Sequence, residues 1–440
     1  MNTTARVAGL PQALTLMLVS TMPTMALAAL VPVLPAFFEH FATVPNRETL
    51  VPMILTVPSL CVALFSAPIG AAADRWGRRP VLLLALLAFA VCGTLPMLFD
   101  ELHAIIASRF VVGIAEAAVL TAGNALLGDY FAGTERQKWL GLQMSIGPFV
   151  GTGYLLAGGA LGSWLWKGPF LIYLLGFVAL ALAWATLHEP ARAARPAPDA
   201  ATTARSTAAA PPSITTPPST AAQSSTAAPA TPFPWGLTAL IVGVTLVVSI
   251  VYFLQAVQHG RIFAELGVST PARISWIVSA ASMGTVIGGY VFKRMRPLPV
   301  GTMLAIVFLG FGIGYVGVAL APNWMVGAPL DAVGQFAGGL AIPTLISWAL
   351  ARYPFEHRGR GMGFWGAAFF LGQFLNPPVM SAIAHGRLGF MQSTGVLGLA
   401  CFALAAVAAW RGRVAARATA APALAPSAAA TAARPTAAPP

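Results

Sequence analysis

Only 9% of the 440 residues are charged, so an ionisable group set inside an apolar run is a candidate for chemistry. Arg109 and Glu116 share one such run, and Asp331 lies in another. Arg109 and Glu116 are seven residues apart, which places them on one face of a helix. At helical rise, Arg109 is roughly 10 Å and Glu116 roughly 20 Å from the start of the run. Charge at that depth in a bilayer is costly and turns towards a bundle interior or a watery cavity. A carboxyl there can take up and release a proton, and a guanidinium can attract an anion. The alternative is a static Arg–Glu contact that braces the wall. Whether Glu116 or Asp331 carries the proton stays open. The uncharged candidates for a cavity lining are Gln143, Tyr252, Gln255, Gln335, Gln373 and Asn376, each equally suited to hydrogen bonds between helices. His259, His357 and His385 fall near expected loops and read as surface histidines. No Walker-type phosphate loop, nucleophile–base arrangement or metal-ligand spacing is present, so neither an enzyme, a cofactor nor a metal is expected.

These residues must be held by membrane helices. Hydrophobic residues make up 57% of the chain, against about 45–50% in soluble domains. The sequence divides into twelve apolar spans, the first at 13–38 and the last at 389–410, each about the length that crosses a bilayer. The expected organisation is a six-span half over 1–187, a disordered linker over 188–235, a second six-span half over 236–410 and a disordered tail over 411–440. The linker and tail are rich in Ala, Pro, Ser and Thr and hold too few large apolar groups to offset ordering. With the first residues inside, the outer segments hold only Arg47, Lys167, Arg261, Arg273 and Arg387, and nearly all other Lys and Arg fall inside. This positive-inside bias predicts both termini in the cytoplasm and accounts for the net charge of +12 without nucleic acid. Ala26-Leu27-Ala28 resembles a cleavage site, but the apolar run continues to Phe38, so a retained helix is expected. Cys61, Cys92 and Cys401 all lie within spans and read as packing residues.

The halves repeat weakly. At one constant offset Arg136 falls on Arg358, Gly141 on Gly363 and Phe131 on Tyr353, and the same offset sets Asp331 opposite Arg109, which suggests a bridge between halves. Pro23, Pro32 and Pro35 should bend the first span, and Asn376-Pro377-Pro378 should break the eleventh.

Between the second and third spans stands Gly70-Ala-Ala-Ala-Asp-Arg-Trp-Gly-Arg-Arg-Pro80, read as a short charged turn. Gly77 permits a backbone angle that other residues avoid, and Pro80 suits the first turn of the next helix. The pattern at Gly70, Asp74, Arg75, Gly77, Arg78 and Arg79 resembles the loop between helices 2 and 3 of the major facilitator superfamily of transporters. Its counterpart in the second half, Gly289 to Pro297, is degenerate, with Lys293 where the acid would stand. The resemblance implies an all-α polytopic membrane protein of two six-helix halves, with substrate bound between them and access alternating by rocking. It assigns Asp74, Arg78 and Asp129 to a latch tying helices 2 and 4 at the cytoplasmic face. Arg109-Phe-Val-Val-Gly113 resembles the family's Arg-x-x-x-Gly motif, implicated in proton transfer. Gly147-Pro148-Phe-Val-Gly151 resembles the Gly-Pro-x-x-Gly core found in its drug/proton antiporters, with Gln143 where that motif has a glycine; a packing kink is the plainer reading. The function this implies is proton-coupled efflux of small amphipathic organic compounds from the inner membrane of a bacterial-type cell, by a monomer whose partners are substrate, protons and lipid. Uptake of a metabolite, such as an organic acid held by Arg109, is the alternative. A non-transporting sensor on the same fold is a third reading.

Overall fold

The computed structural model describes residues 9–190, 232–295, 297–384 and 388–420. Among them, twelve helices are long and apolar enough to cross a membrane. The first six are α1 (Leu10–His40), α2 (Arg47–Trp76), α3 (Arg78–Met97), α4 (Leu102–Tyr130), α5 (Gly133–Trp164) and α6 (Gly168–Thr186). The second six are α7 (Trp235–Glu265), α8 (Pro271–Met295), α9 (Val300–Leu320), α10 (Trp324–Arg352), α11 (Phe355–Ala384) and α12 (Phe390–Val414).

Each half contains helices pressed together at glycines. A Cβ on Gly113 of α4 would lie 2.5 Å from Cα of Pro58 in α2. In the second half, a Cβ on Gly339 of α10 would lie 2.2 Å from the Thr285 carbonyl of α8. Lipid tails give apolar helices no reason to associate, so close backbone approach of this kind supplies the packing. The halves meet where α2 packs along α11, and where the first piece of α8, Pro271–Ala281, packs on α5.

Prolines act unevenly. The first span breaks as expected, into a helix to Ala28, a 3-10 turn over Val31–Val33 and a short helix Leu34–His40. The expected break at Asn376-Pro377-Pro378 does not occur: Arg358–Ala384 is one helix with both prolines inside it. Neighbouring α7 braces that stretch, since Ser249 Oγ donates to the Phe369 carbonyl and Asn376 Nδ2 donates to the Ile250 carbonyl. Instead, α8 breaks, at Ser282.

The charged turn is shorter than the sequence suggests. Gly70 to Trp76 is helical, Arg78 starts the next helix, and Gly77 alone reverses the chain at φ 105°. Any side chain would be strained there. The linker begins later than expected, because His188 and Glu189 are held against the first half. Helix also continues to Ala420, beyond the expected start of the tail at 411. The rest of the expected linker, 191–231, and of the tail, 421–440, lies outside the described residues.

Candidate functional site

A cavity of about 530 Å³ lies between the halves. Its walls come from α1, α2, α4 and α5 on one side and α7, α8, α10 and α11 on the other. Most of the lining is aliphatic or aromatic, and a few polar groups project into it. Of the expected lining residues, Tyr252, Gln255, Gln335 and Gln373 are present. Gln143 is elsewhere, in a small crevice between α1, α4 and α5. Asn376 is fully buried against α7 instead.

Among the described residues, Glu116 is the one carboxylate on the cavity wall. It is 5% exposed, and its Oε1 is buried with no hydrogen-bond partner. Gly113, one turn earlier, lets α4 press on Pro58, and both Pro58 and Glu116 border the cavity. The close helix pair therefore fixes where the carboxyl points. A buried, unpartnered acid is expensive in its charged form, so this position favours a group that exchanges protons.

Arg109 does not share that space. It is completely buried, and its Nη2 donates to the carbonyls of Cys92 at 3.0 Å and Gly93 at 2.8 Å. Its guanidinium lies 4.8 Å from the Tyr173 ring and 5.0 Å from the Phe170 ring. The cause is local. Pro96 has no N–H to offer the Cys92 carbonyl, and α3 tightens there into a 3-10 turn over Leu95–Met97. Arginine supplies the missing donor, and aromatic faces from α6 cover it. The expected bridge to Asp331 is therefore absent, and so is a static ion pair with Glu116: among the described residues, Arg109 makes no ion pair.

Asp331 is satisfied inside its own half. Gln255 Nε2 donates to its Oδ1 at 2.7 Å and to its main-chain carbonyl at 2.9 Å. His259 Nε2 lies 3.1 and 3.0 Å from its two carboxylate oxygens. His259 itself is 2% exposed and lines the cavity, which corrects its reading as a surface histidine. α7 runs on past it to Glu265, so His259 sits inside the helix and not in a loop. His357 is half-buried beside the Phe233 ring, and His385 lies outside the described residues.

On α5, Gly147, Pro148 and Gly151 line the cavity. Only Gly151 closely faces a neighbour, Thr24 of α1, and Gly147 has open space beside it. The tight contacts of α5 occur further along, where a Cβ on Gly158 would lie 2.0 Å from the Ala29 carbonyl and one on Gly159 would lie 2.3 Å from Ser275 Oγ. The Gly-Pro core thus shapes the cavity more than it packs helices.

At the arginine-rich end of the bundle, Arg78 bridges α2 and α4. Its Nη2 donates to Asp74 at 3.2 Å, and its Nη1 pairs with Asp129. The sequence reading missed Glu189, whose carboxylate accepts from the backbone N–H groups of Arg78 at 2.8 Å and Arg79 at 2.7 Å. An anion at the first turn of α3 is favoured by the orphan amides and the helix dipole. Arg79 also donates to the Trp184 carbonyl, and the Tyr130 hydroxyl pairs with the His188 backbone. The end of the first half is thereby tied to its own α6. Glu189 lay in a Pro/Ala-rich stretch, where only its acidity beside the basic motif could have pointed to it.

Two six-helix halves around one shared cavity, with the acid Glu116 on its wall, define a membrane carrier. The chain belongs to the Major Facilitator Superfamily, whose model matches residues 16–330 and again 260–436. It is 24% identical over 381 residues to the class C tetracycline resistance protein of Escherichia coli, covering 82% of this chain and 87% of that protein. It is 24% identical over 393 residues to the gallate transporter of Pseudomonas putida, covering 84% of each. Among solved structures, it resembles a D-xylose–proton symporter with TM-score 0.67 at 15% identity, over 90% of this chain and 96% of that one. An inward-facing, unoccupied bacterial homologue of the human lysosomal transporter Spinster gives TM-score 0.66 at 17% identity, over 92% and 96%. The chain is a transporter of small-molecule substrates in a membrane and not an enzyme.

Proposed function

We propose that this transporter exports small amphipathic organic compounds in exchange for protons, and that Glu116 is the group that exchanges proton for cargo. The observation that carries this reading is the unpartnered Glu116 Oε1 beside a cavity otherwise walled largely by apolar side chains. An apolar pocket with few polar groups suits amphipathic cargo better than sugars or multiply charged anions. Likeness to tetracycline resistance proteins supports export. The distribution of Lys and Arg supports a cytoplasmic position for the basic end. Likeness to the gallate transporter supports the alternative, uptake of an aromatic acid. That reading loses its expected anion receptor, because Arg109 is sealed behind α3 and α6.

The test is flux in proteoliposomes under an imposed pH gradient, with tetracycline and gallate as separate probes. Tetracycline should move against the proton gradient, and Glu116→Gln should abolish driven flux while leaving probe binding in place. Driven flux unchanged in that variant would remove the assignment, and gallate moving with protons would turn the reading to uptake.

A further inference from the structure

The wall opposite Glu116 holds a titratable pair that the export reading leaves unused. His259 lines the cavity and touches both oxygens of Asp331, whose side chain is 1% exposed. Gln335 also lines the cavity, and its Nε2 lies 3.2 Å from the same imidazole nitrogen, His259 Nε2. Its Oε1 lies 2.8 Å from the Thr285 hydroxyl of α8.

These contacts constrain where protons sit. If Nε2 of His259 donates to Asp331, it cannot also accept from the Gln335 amide. The arrangement with Gln335 N–H aimed at Nε2 needs a bare nitrogen there, hence a proton on Asp331. In that arrangement the Thr285 hydroxyl donates to Gln335 Oε1. The opposite arrangement is equally complete. With the amide turned over, its carbonyl faces Nε2–H and its nitrogen donates to Thr285. The Thr285 hydroxyl then donates to the main-chain carbonyl of Gln335, 3.1 Å away. An amide that swaps its oxygen and nitrogen, beside a hydroxyl that turns its hydrogen, can exchange roles this way with the surrounding side chains in place.

We propose that His259 and Asp331 form a second proton-binding site of the cavity, and that Gln335 and Thr285 register its occupancy on α8. Unloaded, the neutral imidazole holds its hydrogen on Nε2 and donates it to the Asp331 carboxylate, and the pair carries one negative charge. On loading, a proton from the cavity binds Nδ1 and the Nε2 hydrogen passes to the carboxylate. The pair becomes neutral, and the lone pair now bared on Nε2 accepts from the Asp331 hydroxyl and is shared with the Gln335 amide N–H, which turns Gln335 over. Thr285 changes partner three residues beyond the break in α8 at Ser282, so occupancy is read at the joint of a helix that packs on the first half. Other groups facing the pair are already committed or neutral. Gln255 clamps Asp331, and the Phe263 ring lies alongside His259. Tyr315 of α9 donates to the Val251 carbonyl, and Tyr252 and Cys401 are the remaining titratable neighbours of that group. Arg261 is paired with Glu48, and Glu116 stands on the other wall. Use of this site in a transport cycle rests on the export reading; its existence does not.

The experiment is infrared difference spectroscopy between acidic and alkaline buffer on the full chain in lipid nanodiscs, with Glu116→Gln as background. The expected result is a carbonyl band of a dry carboxylic acid that forms on acidification together with an imidazole signal. The band should vanish in Glu116→Gln/Asp331→Asn. Its midpoint should move by about one pH unit or more, a tenfold change in proton affinity, in Glu116→Gln/His259→Gln and in Glu116→Gln/Gln335→Leu. If the Asp331 variant fails to fold, the other two decide. A band with unchanged midpoint in both, or no band in the Glu116→Gln background, overturns the proposal. The export reading fails separately, on driven flux.

Discussion

At the far end of the bundle, opposite the arginine-rich motif, the contacts cross between halves. Arg261 of α7 pairs with Glu48 of α2, and its guanidinium lies 4.6 Å from the Phe38 ring of one half and 4.2 Å from the Phe390 ring of the other. A Cβ on Gly260 would lie 2.1 Å from the Val31 carbonyl, and Ala272 N donates to Ser163 Oγ at 3.0 Å. At the basic end, Arg78 joins Asp74 and Asp129, and Glu189 accepts from the Arg78 and Arg79 amides, all within the first half. Among the described residues, a Cβ on Gly141 or Gly147 of α5, or on Gly359, Gly363 or Gly366 of α11, would meet nothing within 4 Å. One end is bolted across the cleft, and the other carries an ionic cluster that reinforces the first half. Contacts that cross the cleft set which mouth is shut. Contacts within a half set how rigidly that half moves as a body.

Gly260→Val tests this most severely. The new side chain has backbone in its way, and overpacking of that kind costs about 1–3 kcal/mol, or roughly 5- to 150-fold in population. Because the collision is between halves, it should be relieved by opening the far mouth rather than by unfolding. Spin labels at Thr43 and Ser269 should report a longer distance across that end. An unchanged distance with a lowered melting temperature would show that the contact only packs.

Arg261→Gln should act in the same direction and more weakly. A half-exposed ion pair with aromatic cover contributes about 1 kcal/mol, so the same labels should show a partial shift, and high salt should reproduce part of it in the unmutated chain. Arg78→Gln removes a pair of similar exposure, at about 1 kcal/mol of stability or less. It should lower the melting temperature and leave the distance between Thr43 and Ser269 unchanged. If Arg78→Gln moves the far mouth as much as Arg261→Gln does, the distinction between the two ends is wrong.

Much of this frame was legible in the sequence, and the reasons for the rest are physical. Span length and loop charge gave the twelve helices, and the family resemblance of the charged turn implied the Asp74–Arg78–Asp129 cluster, whose members the structure brings together. Arg109 was misplaced because its run is apolar on all sides, so nothing marks which face looks into the cavity. The donor it replaces is lost at Pro96, on another helix. His259 was misplaced because a run of polar residues such as Gln255 and His259 looks like the end of a span, whereas these two side chains line the cavity. The offset that set Asp331 against Arg109 aligned two helices correctly in order, yet it could not give their rotation.

The smallest effect lies at the far end but inside one half, and it serves as the control for the pairs that cross the cleft. Lys167, just before α6, donates to Asp100, just before α4, at 2.6 Å. That ammonium, by hydrogen bond and then by charge, holds the Asp100 carboxyl below its ordinary range. A depressed folded-state pKa adds stability at pH values above the unfolded carboxylate value, about 3.9, and the gain is lost as pH falls through the folded value. Lys167→Gln should therefore lower the melting temperature slightly at neutral pH, and the difference should close in buffers more acidic than that range. Asp100 is exposed to solvent, so the effect should be small and should shrink with salt. The distance between Thr43 and Ser269 should not change at any pH, since both partners belong to the same rigid half. A pH-dependent change in that distance in Lys167→Gln alone would mean that surface charge within a half also sets the mouth, and the division between contacts across the cleft and contacts within a half would have to be redrawn.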